Sequence, residues 1–202
     1  FDGKATDGWG EHHKDHVRAK WEVEEGPLHL DPEADGDGGD IMIDKKYSDF
    51  NLKLEWKIEE GGNSGILYLG SEDPKYHAIY VTAPEMQILD NDRHPDSWLG
   101  TDGNRKAGSL YDLIPEDSLN FKGAGLWNTA EVIVKNNHVK HIQNGEIVVE
   151  YEYGTQMWDA MVARSKFPAL NPNWVNLQEE GYIGLQDHGN NVWFRNIRIK
   201  EL

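Results

Sequence analysis

The feature that most constrains the fold is the segment 50–58, in which apolar and polar side chains alternate without interruption. The apolar positions are Phe50, Leu52, Leu54, Trp56 and Ile58. Because successive side chains of a β-strand point to opposite faces, this period of two predicts a strand with one face in a core and the other in water. A chain built around such strands must bury its apolar faces against a second layer.

Two hairpins are predicted on either side of this segment. The segments 21–23 and 28–30 flank a turn at Gly26-Pro27. The segment 138–148 contains Asn144-Gly145, a pair that readily adopts the positive φ values of a type I′ turn. Further candidate strands lie at 41–43, 64–69, 78–81, 85–89, 108–111, 130–135, 147–153, 182–186 and 192–199.

Helical spacing is confined to one short segment, 157–164, where Trp158, Met161 and Val162 fall on one face. Many short strands, a single short helix and no alternation of strands with helices predict an all-β fold, either a two-sheet antiparallel sandwich or a jelly roll. No linker or internal repeat divides the chain, so residues 1–202 are predicted to form one domain.

The last predicted strand changes its apolar face part of the way along. Val192 and Phe194 share one parity, whereas Ile197 and Ile199 share the other. A β-bulge near Arg195-Asn196 would reconcile the two halves and would also change the direction of the Arg195 side chain. Burial of both faces is the alternative.

Composition disfavours several partners. The chain has 36 Asp and Glu residues against 20 Lys and Arg, a formal charge of -16, which repels nucleic acid phosphates and anionic lipids. No apolar run approaches the roughly 20 residues that span a bilayer. The absence of cysteine excludes disulfides, thiolate metal sites and cysteine nucleophiles.

The segment 84–90 is the first candidate for chemistry. Along a strand, Glu85 and Gln87 lie on one face while Met86 and Ile88 face the core. Asp90 has the opposite parity, but as the last residue of the strand it could be turned by the loop that follows. An edge strand with solvated polar side chains explains this segment equally well.

Two further segments could contribute to a site. Gln186 and His188 share a face at the end of an apolar strand, and histidine is the natural general acid or base near neutral pH. Asn63 follows two glycines in a loop whose amides could bind sugar hydroxyls. The alternatives are a surface His beside an Asp and a hairpin with an Asx turn.

Other clustered polar residues are interpreted as surface features. His12, His13 and His16 lie close together, but the segment supplies neither the glutamate of a zinc-binding helix nor a third ligand. The acidic, glycine-rich segment 35–40 departs from the EF-hand pattern and is interpreted as a flexible turn rather than a metal loop.

Taken in order along the chain, the short motifs resemble the 3-keto-disaccharide hydrolase domain family, a former domain of unknown function. The resemblance implies a concanavalin-like lectin/glucanase jelly roll, a site on a concave sheet face, and a glycan-processing protein that bacteria secrete or hold in the periplasm. A longer stretch at 94–106 departs from the family pattern. The motifs are Phe1-Asp2-Gly3-Lys4, Trp21-Glu22-Val23, Asn63-Ser64-Gly65, Glu85-Met86-Gln87-Ile88-Leu89-Asp90, Gly108-Ser109-Leu110-Tyr111, Ile183-Gly184-Leu185-Gln186-Asp187-His188-Gly189 and Phe194-Arg195-Asn196-Ile197.

The keto group that this family name implies suggests an elimination followed by hydration. A 3-keto sugar has an acidic C2 proton, so a base can remove it and expel the leaving group at C1. Glu85 and His188 are expected to supply the base and the acid, and either residue could take either role. The enolate would be stabilised by Arg195, by Lys53 or by a divalent cation.

Substrate binding and a metal complete this hypothesis. We expect Gln87, Gln186 and Asn63 to orient hydroxyl groups, and Trp98 or Tyr111 to stack on a sugar ring. Such a divalent cation would be held by Glu85, Asp90 and His188.

Two other functions stay open at this point. One is hydrolysis of an ordinary glycan by two carboxylates, for which Glu85 could pair with Glu55 or Asp90. The other is a lectin-like module that binds carbohydrate without catalysis, which needs the same sheet face but no tuned base.

Overall fold

The computed structural model describes residues 1, 3–14, 17 and 20–202, so Asp2 and His16 from the sequence analysis lie outside it. The strands of the described residues are β1 (Trp9–Glu11), β2 (Trp21–Val23), β3 (Leu28–Leu30), β4 (Ile41–Ile43), β5 (Phe50–Ile58), β6 (Asn63–Gly70), β7 (Glu85–Leu89), β8 (Asn128–Lys135), β9 (His138–Gln143), β10 (Glu146–Glu152), β11 (Tyr182–Leu185) and β12 (Val192–Glu201). The helices are α1 (Gln156–Val162) and α2 (Phe167–Leu170), with 3₁₀ turns at Ile79–Val81 and Pro95–Trp98.

The strands form two antiparallel sheets. The five-stranded sheet has the order β1-β4-β11-β6-β7, and the seven-stranded sheet has the order β10-β9-β8-β5-β12-β3-β2. The alternating segment 50–58 is β5, in the middle of the larger sheet between β8 and β12. The predicted two-sheet antiparallel sandwich is therefore confirmed.

The local predictions agree with the structure in most places, although the predicted strand at 78–81 is wrong, because these residues form the 3₁₀ turn Ile79–Val81. Asn144 and Gly145 both have positive φ between β9 and β10, as the type I′ hairpin requires. The register of β12 on β5 shifts between Arg195 and Arg198, which confirms the bulge. The single predicted helix is α1, but the structure adds α2, whose four residues are too few for a periodic signal.

The five-stranded sheet has two differently used faces. Ile66, Met86, Ile88 and Ile183 point inward to the main core between the sheets. The outward face carries a second, smaller apolar cluster, formed by Met42, Leu67, Ile79 and Ala83. Part of this outward face is thus covered by the segment around Ile79, and the uncovered part is where polar side chains collect.

The predicted strand 108–111 is replaced by a strand-like segment along the free edge of β7. The amide of Gly108 donates to the carbonyl of Gln87 at 2.9 Å, and that of Tyr111 donates to the carbonyl of Glu85 at 3.0 Å. This segment pairs with β7 over too few residues to form a regular strand. β7 is nevertheless hydrogen-bonded on both sides, to β6 and to this segment. Within the described residues, no helix has the length and apolar character needed to cross a membrane.

Candidate active site

A cavity of about 360 Å³ lies on the outward face of the five-stranded sheet. Its floor comes from β6, β7 and the end of β11, and its walls come from loops and from α2. The lining residues are Asn63, Tyr80, Glu85, Gln87, Tyr111, Lys166, Phe167, Leu170, Gln186 and His188. Six of them were singled out by the sequence analysis, and the strand parity argument placed Glu85 and Gln87 on the correct face.

Glu85 is the central carboxyl group of the cavity. The residue is only 6% exposed, and burial raises the pKa of its carboxyl to about 8. The nearby Lys166 ammonium opposes this shift, and the charges of Asp40 and Asp96 add to it. Glu85 therefore carries its proton at neutral pH, which suits a general acid.

Lys166 is a residue of the cavity that the sequence analysis missed. Its ammonium donates a hydrogen bond to the Tyr111 hydroxyl at 3.0 Å. Partial burial lowers the pKa of Lys166, and the Glu85 carboxyl acts in the opposite direction. No local pattern marks this lysine, because it is placed at the cavity by the packing of the next residue, Phe167, on the sequence-distant Trp174.

The α2 segment is anchored by stacked aromatic rings. Phe167, which follows Lys166, stacks on Trp174 with the ring centres 3.9 Å apart, and Trp174 stacks in turn on Trp158 of α1. The backbone amide of Lys166 also donates to the carboxylate of Asp112 at 3.0 Å. These contacts fix Lys166 and Phe167 over the floor of the cavity.

Tyr111 forms one wall of the cavity, and a chain of charge-assisted hydrogen bonds holds its side chain in place. Its hydroxyl donates to Asp96 at 2.8 Å, and Arg105 donates to Asp96 and to Asp112 at 2.7 Å each. Burial, followed by the Asp96 carboxylate, raises the pKa of Tyr111. The long polar stretch around residues 94–106 is therefore an ordered brace for the cavity wall.

Several polar atoms of the cavity have no protein partner. Both amide atoms of Gln87, which is 1% exposed, and the side-chain oxygen of Asn63 are buried without a hydrogen bond within the described protein. An unpaired buried amide costs roughly 1–3 kcal/mol. Donors and acceptors of this kind match the hydroxyl groups of a sugar.

Gln186 and His188 follow β11 and stand at the mouth of the cavity. The intervening Asp187 holds this segment to the chain before β4: its carboxylate accepts from the amide of Gly39 at 2.8 Å, and its own amide donates to Asp40 at 2.9 Å. His188 is exposed, and its ring lies edge-on to that of His94, with the ring centres 6.1 Å apart.

The two side chains that were expected to stabilise the enolate, Lys53 and Arg195, do not line the cavity. Lys53 is on the outer face of the seven-stranded sheet, where it pairs with Glu131 at 3.1 Å. The Arg195 guanidinium binds Glu55 at 2.7 Å and lies over the ring of Trp127. The bulge follows Arg195, so the side chain keeps the outward direction given by the regular alternation of β12, on the sheet that does not carry the cavity.

The remaining expectations, for Trp98 and for a metal, also differ from the structure. Trp98 is 72% exposed in the 3₁₀ turn Pro95–Trp98 and does not line the cavity. The two carboxylate oxygens of Asp90 accept from the backbone amides of Gly61 and Asp92, so Asp90 braces a loop. Glu85, Asp90 and His188 do not meet, and the described residues contain no group of three or more potential ligands placed to hold a metal ion.

Comparison with known proteins places this chain among carbohydrate-processing relatives. A family model described as a 3-keto-alpha-glucoside-1,2-lyase-like domain matches residues 1–200. A curated protein of Bacteroides thetaiotaomicron, named 3-keto-disaccharide hydrolase, is 44% identical over 223 residues, which cover 100% of this chain and 77% of that protein.

Solved structures agree with this relationship. A crystal structure from Parabacteroides distasonis, provisionally assigned as a glycosyl hydrolase, has a TM-score of 0.87 and 32% identity, covering 99% of this chain and 91% of that chain. A Bacillus subtilis protein of unknown function with a galectin-like fold has a TM-score of 0.54 and 10% identity over 96% of this chain and 94% of its own. The second likeness bears on fold alone and supports the jelly-roll sandwich. The resemblance seen in the sequence is confirmed, and the chain belongs to the 3-keto-alpha-glucoside-1,2-lyase-like domain family.

Proposed function

We propose that this protein cleaves the glycosidic bond of 3-keto sugars in the cavity around Glu85, by elimination followed by hydration. The observation that carries the proposal is a buried carboxyl group with a pKa of about 8, facing a lysine in a cavity whose amides lack partners. Family membership supports the substrate class, since the curated relative is named a 3-keto-disaccharide hydrolase. The 1,2-lyase in the family description supports an elimination across C1 and C2.

The chemistry follows from the keto group. A base removes the proton on C2, and the electron pair of the C–H bond moves onto the C3 carbonyl to form an enolate. The enolate collapses to a C1–C2 double bond as the bond from C1 to the leaving oxygen breaks, and that oxygen takes a proton. Water then adds its oxygen to C1 and a proton returns to C2, so that the net reaction is hydrolysis.

Each step has a candidate residue in the cavity. His188 is the proposed base, because its imidazole stands at the mouth of the cavity and histidine is the side chain that most often serves as a general base. Glu85 is the proposed acid, because burial keeps its carboxyl protonated. The Lys166 ammonium is the proposed stabiliser of the enolate oxygen, in place of the two cations that lie on the other sheet.

Other residues of the cavity would bind the substrate. The unpaired amides of Gln87 and Asn63 would hydrogen-bond hydroxyl groups, with Gln186 beside them. Phe167 and Tyr111 offer apolar ring surface on the walls, and such surface packs against the C–H faces of sugars.

Substrate comparison tests this function directly. A disaccharide and its 3-oxidised form are incubated with the wild-type protein, with Glu85→Gln, and with Glu152→Gln, a control on the exposed face of β10. We expect turnover of the 3-oxidised sugar only, loss of turnover in Glu85→Gln, and full turnover in Glu152→Gln. Equal cleavage of the ordinary disaccharide would contradict the role of the keto group.

Two rival functions receive less support. A mechanism with two carboxylates needs a second acid near Glu85, but Glu55 is bound to Arg195 on the other sheet and Asp90 is engaged by backbone amides. Among the described lining residues of the cavity, Glu85 is the only carboxylate. A binding module without catalysis would not need a carboxyl group with a raised pKa.

We also propose that the protein is exported to the periplasm or secreted. The support is the resemblance to a family of exported bacterial glycan-processing proteins. Immunodetection in fractions of the source cells tests this, and a signal confined to the cytoplasmic fraction would contradict it.

A further inference from the structure

A second cavity, of about 280 Å³, lies on the same outward face of the five-stranded sheet. Its lining includes His12, Gly39, Asp40, His77, Ala78 and Tyr80. It is built mainly from the segments around β1 and β4, whereas the first cavity is built from β6, β7 and the end of β11. Neither the family description nor the name of the relative assigns anything to this part of the molecule.

Tyr80 separates the two cavities and lines both of them. Its position is fixed by the preceding Ile79, which is fully buried against Met42 and Leu67 on the sheet. Ile79 can approach the sheet this closely because β11 presents Gly184 there, and a β-carbon at Gly184 would lie 3.1 Å from the end of the Ile79 side chain. Tyr80 therefore forms the boundary between the two cavities, called the Tyr80 ridge below.

The floors of the two cavities are also joined through Asp187. The Asp187 side chain accepts from Gly39 and its amide donates to Asp40, both in the second cavity, while its neighbours Gln186 and His188 line the first. The Asp40 charge is one of the causes that raise the pKa of Glu85. The cavities are thus neighbouring compartments close to the proposed reaction centre.

The second cavity offers hydrogen-bonding groups that suit a hydroxylated ligand. The Nδ1 atom of His12 is buried and has no hydrogen-bond partner in the part of the chain that the structure describes. Burial lowers the pKa of His12 and so favours the neutral ring, in which one nitrogen can accept a hydrogen bond. The His77 ring forms a hydrogen bond with the Tyr80 hydroxyl at 2.9 Å, so polar groups lie at the boundary between the two cavities.

We infer that the second cavity holds the leaving-group sugar of a disaccharide substrate while the first cavity holds the 3-keto ring. This inference rests on the proposed function and specifies how its substrate is accommodated. With the C1–O bond above the Tyr80 ridge, the two rings occupy the two compartments. The cavity around His12 and Ala78 then determines the choice of leaving group and takes no part in the chemistry of the keto ring.

Two variants separate these roles. Ala78→Phe fills the second cavity, and His12→Leu removes the unpaired acceptor at similar volume. Ala160→Phe, on the exposed face of α1, is the matched control for Ala78→Phe. Steady-state kinetics are measured on a 3-keto disaccharide and on methyl 3-keto-glucoside, whose leaving group is methanol, and melting temperatures verify folding.

We expect Ala78→Phe to raise KM for the disaccharide at least tenfold and to change methyl glycoside turnover less than twofold. His12→Leu should raise KM for the disaccharide about fivefold, because the variant loses one hydrogen bond worth about 1 kcal/mol. Equal effects on both substrates, or none on the disaccharide, would overturn the inference while leaving the proposed function in place. A wild-type protein that cleaves neither sugar would overturn the proposed function and the inference with it.

Discussion

The carboxyl group of Glu85 fills the space that a β-carbon on Gly65 would occupy on the neighbouring strand. Gly65 pairs directly with Gln87, so Glu85 lies diagonally across the β6–β7 ladder. The φ angle of Gly65 is not in the left-handed region, and the glycine is therefore required by the space it leaves rather than by backbone geometry.

This relationship predicts the effect of Gly65→Ala. The methyl group would displace the Glu85 carboxyl without straining the backbone, and a displacement of about 1 Å can cost on the order of 100-fold in rate. We expect kcat for a 3-keto glycoside to fall by about this factor, with a much smaller change in KM and a folded protein by circular dichroism. An unchanged kcat would remove Glu85 from the reaction.

The raised pKa of Glu85 predicts a specific pH dependence of stability. The carboxyl binds a proton up to about pH 8 in the native protein but only to about 4.5 in the unfolded chain. Between these values the native state binds more protons, so the free energy of unfolding falls as pH rises through this window. Replacing Glu85 by a side chain that does not ionise should therefore make the free energy of unfolding depend less on pH in this window.

Melting temperatures of wild type and Glu85→Gln at pH 5 and pH 8 measure this effect. We expect the melting temperature of the wild type to fall by several degrees more than that of the variant between pH 5 and pH 8. Asp40 and Glu116, whose pKa values are each raised to about 7 by burial, act in the same direction in both proteins, so the difference reports Glu85 together with its coupling to Asp40. An equal fall in the melting temperatures of both proteins would show that the pKa of Glu85 is not raised.

The unpaired amide of Gln87 predicts opposite effects on stability and on binding. Gln87→Leu replaces a buried polar group without partners by an apolar side chain, so we expect the free energy of unfolding to stay level or rise by about 1 kcal/mol. KM for the 3-keto sugar should rise about tenfold from the lost hydrogen bonds. A loss of stability together with unchanged KM would mean that Gln87 serves the fold alone.

The fold was predictable from the sequence where a pattern is local. The period of two placed β5 at Phe50–Ile58 without error, Asn144-Gly145 placed a hairpin, and the parity change in β12 placed a bulge. Each of these signals lies within about ten consecutive residues. The parity of β7 likewise put Glu85 and Gln87 outward.

The site was predictable only in part, because parity says nothing about which surface an outward residue meets. Arg195 and Lys53 point outward as expected, but from the sheet opposite the cavity. Lys166 and Tyr80 enter the cavity through the packing of Phe167 on Trp174 and of Ile79 on the sheet. Contacts this distant in sequence leave no periodic signal.

The proposed base can be tested by His188→Gln, which keeps a polar side chain without the titratable ring. We expect kcat to fall by about 10²- to 10⁴-fold, the usual contribution of a general base. His138→Gln is the control, since His138 lies on β9, pairs with Glu150 and lines none of the described cavities. Full activity of His188→Gln, or an equal loss in His138→Gln, would assign the base elsewhere.

The removal of the C2 proton in the cavity around Glu85 is tested most directly by running the reaction in D₂O. Mass spectrometry and NMR of the released 3-keto sugar at early turnover locate any deuterium, with the product incubated without protein as the control for spontaneous exchange. We predict one deuterium at C2, because elimination and hydration return a solvent proton there. Cleavage that leaves the original hydrogen on C2 would contradict the mechanism.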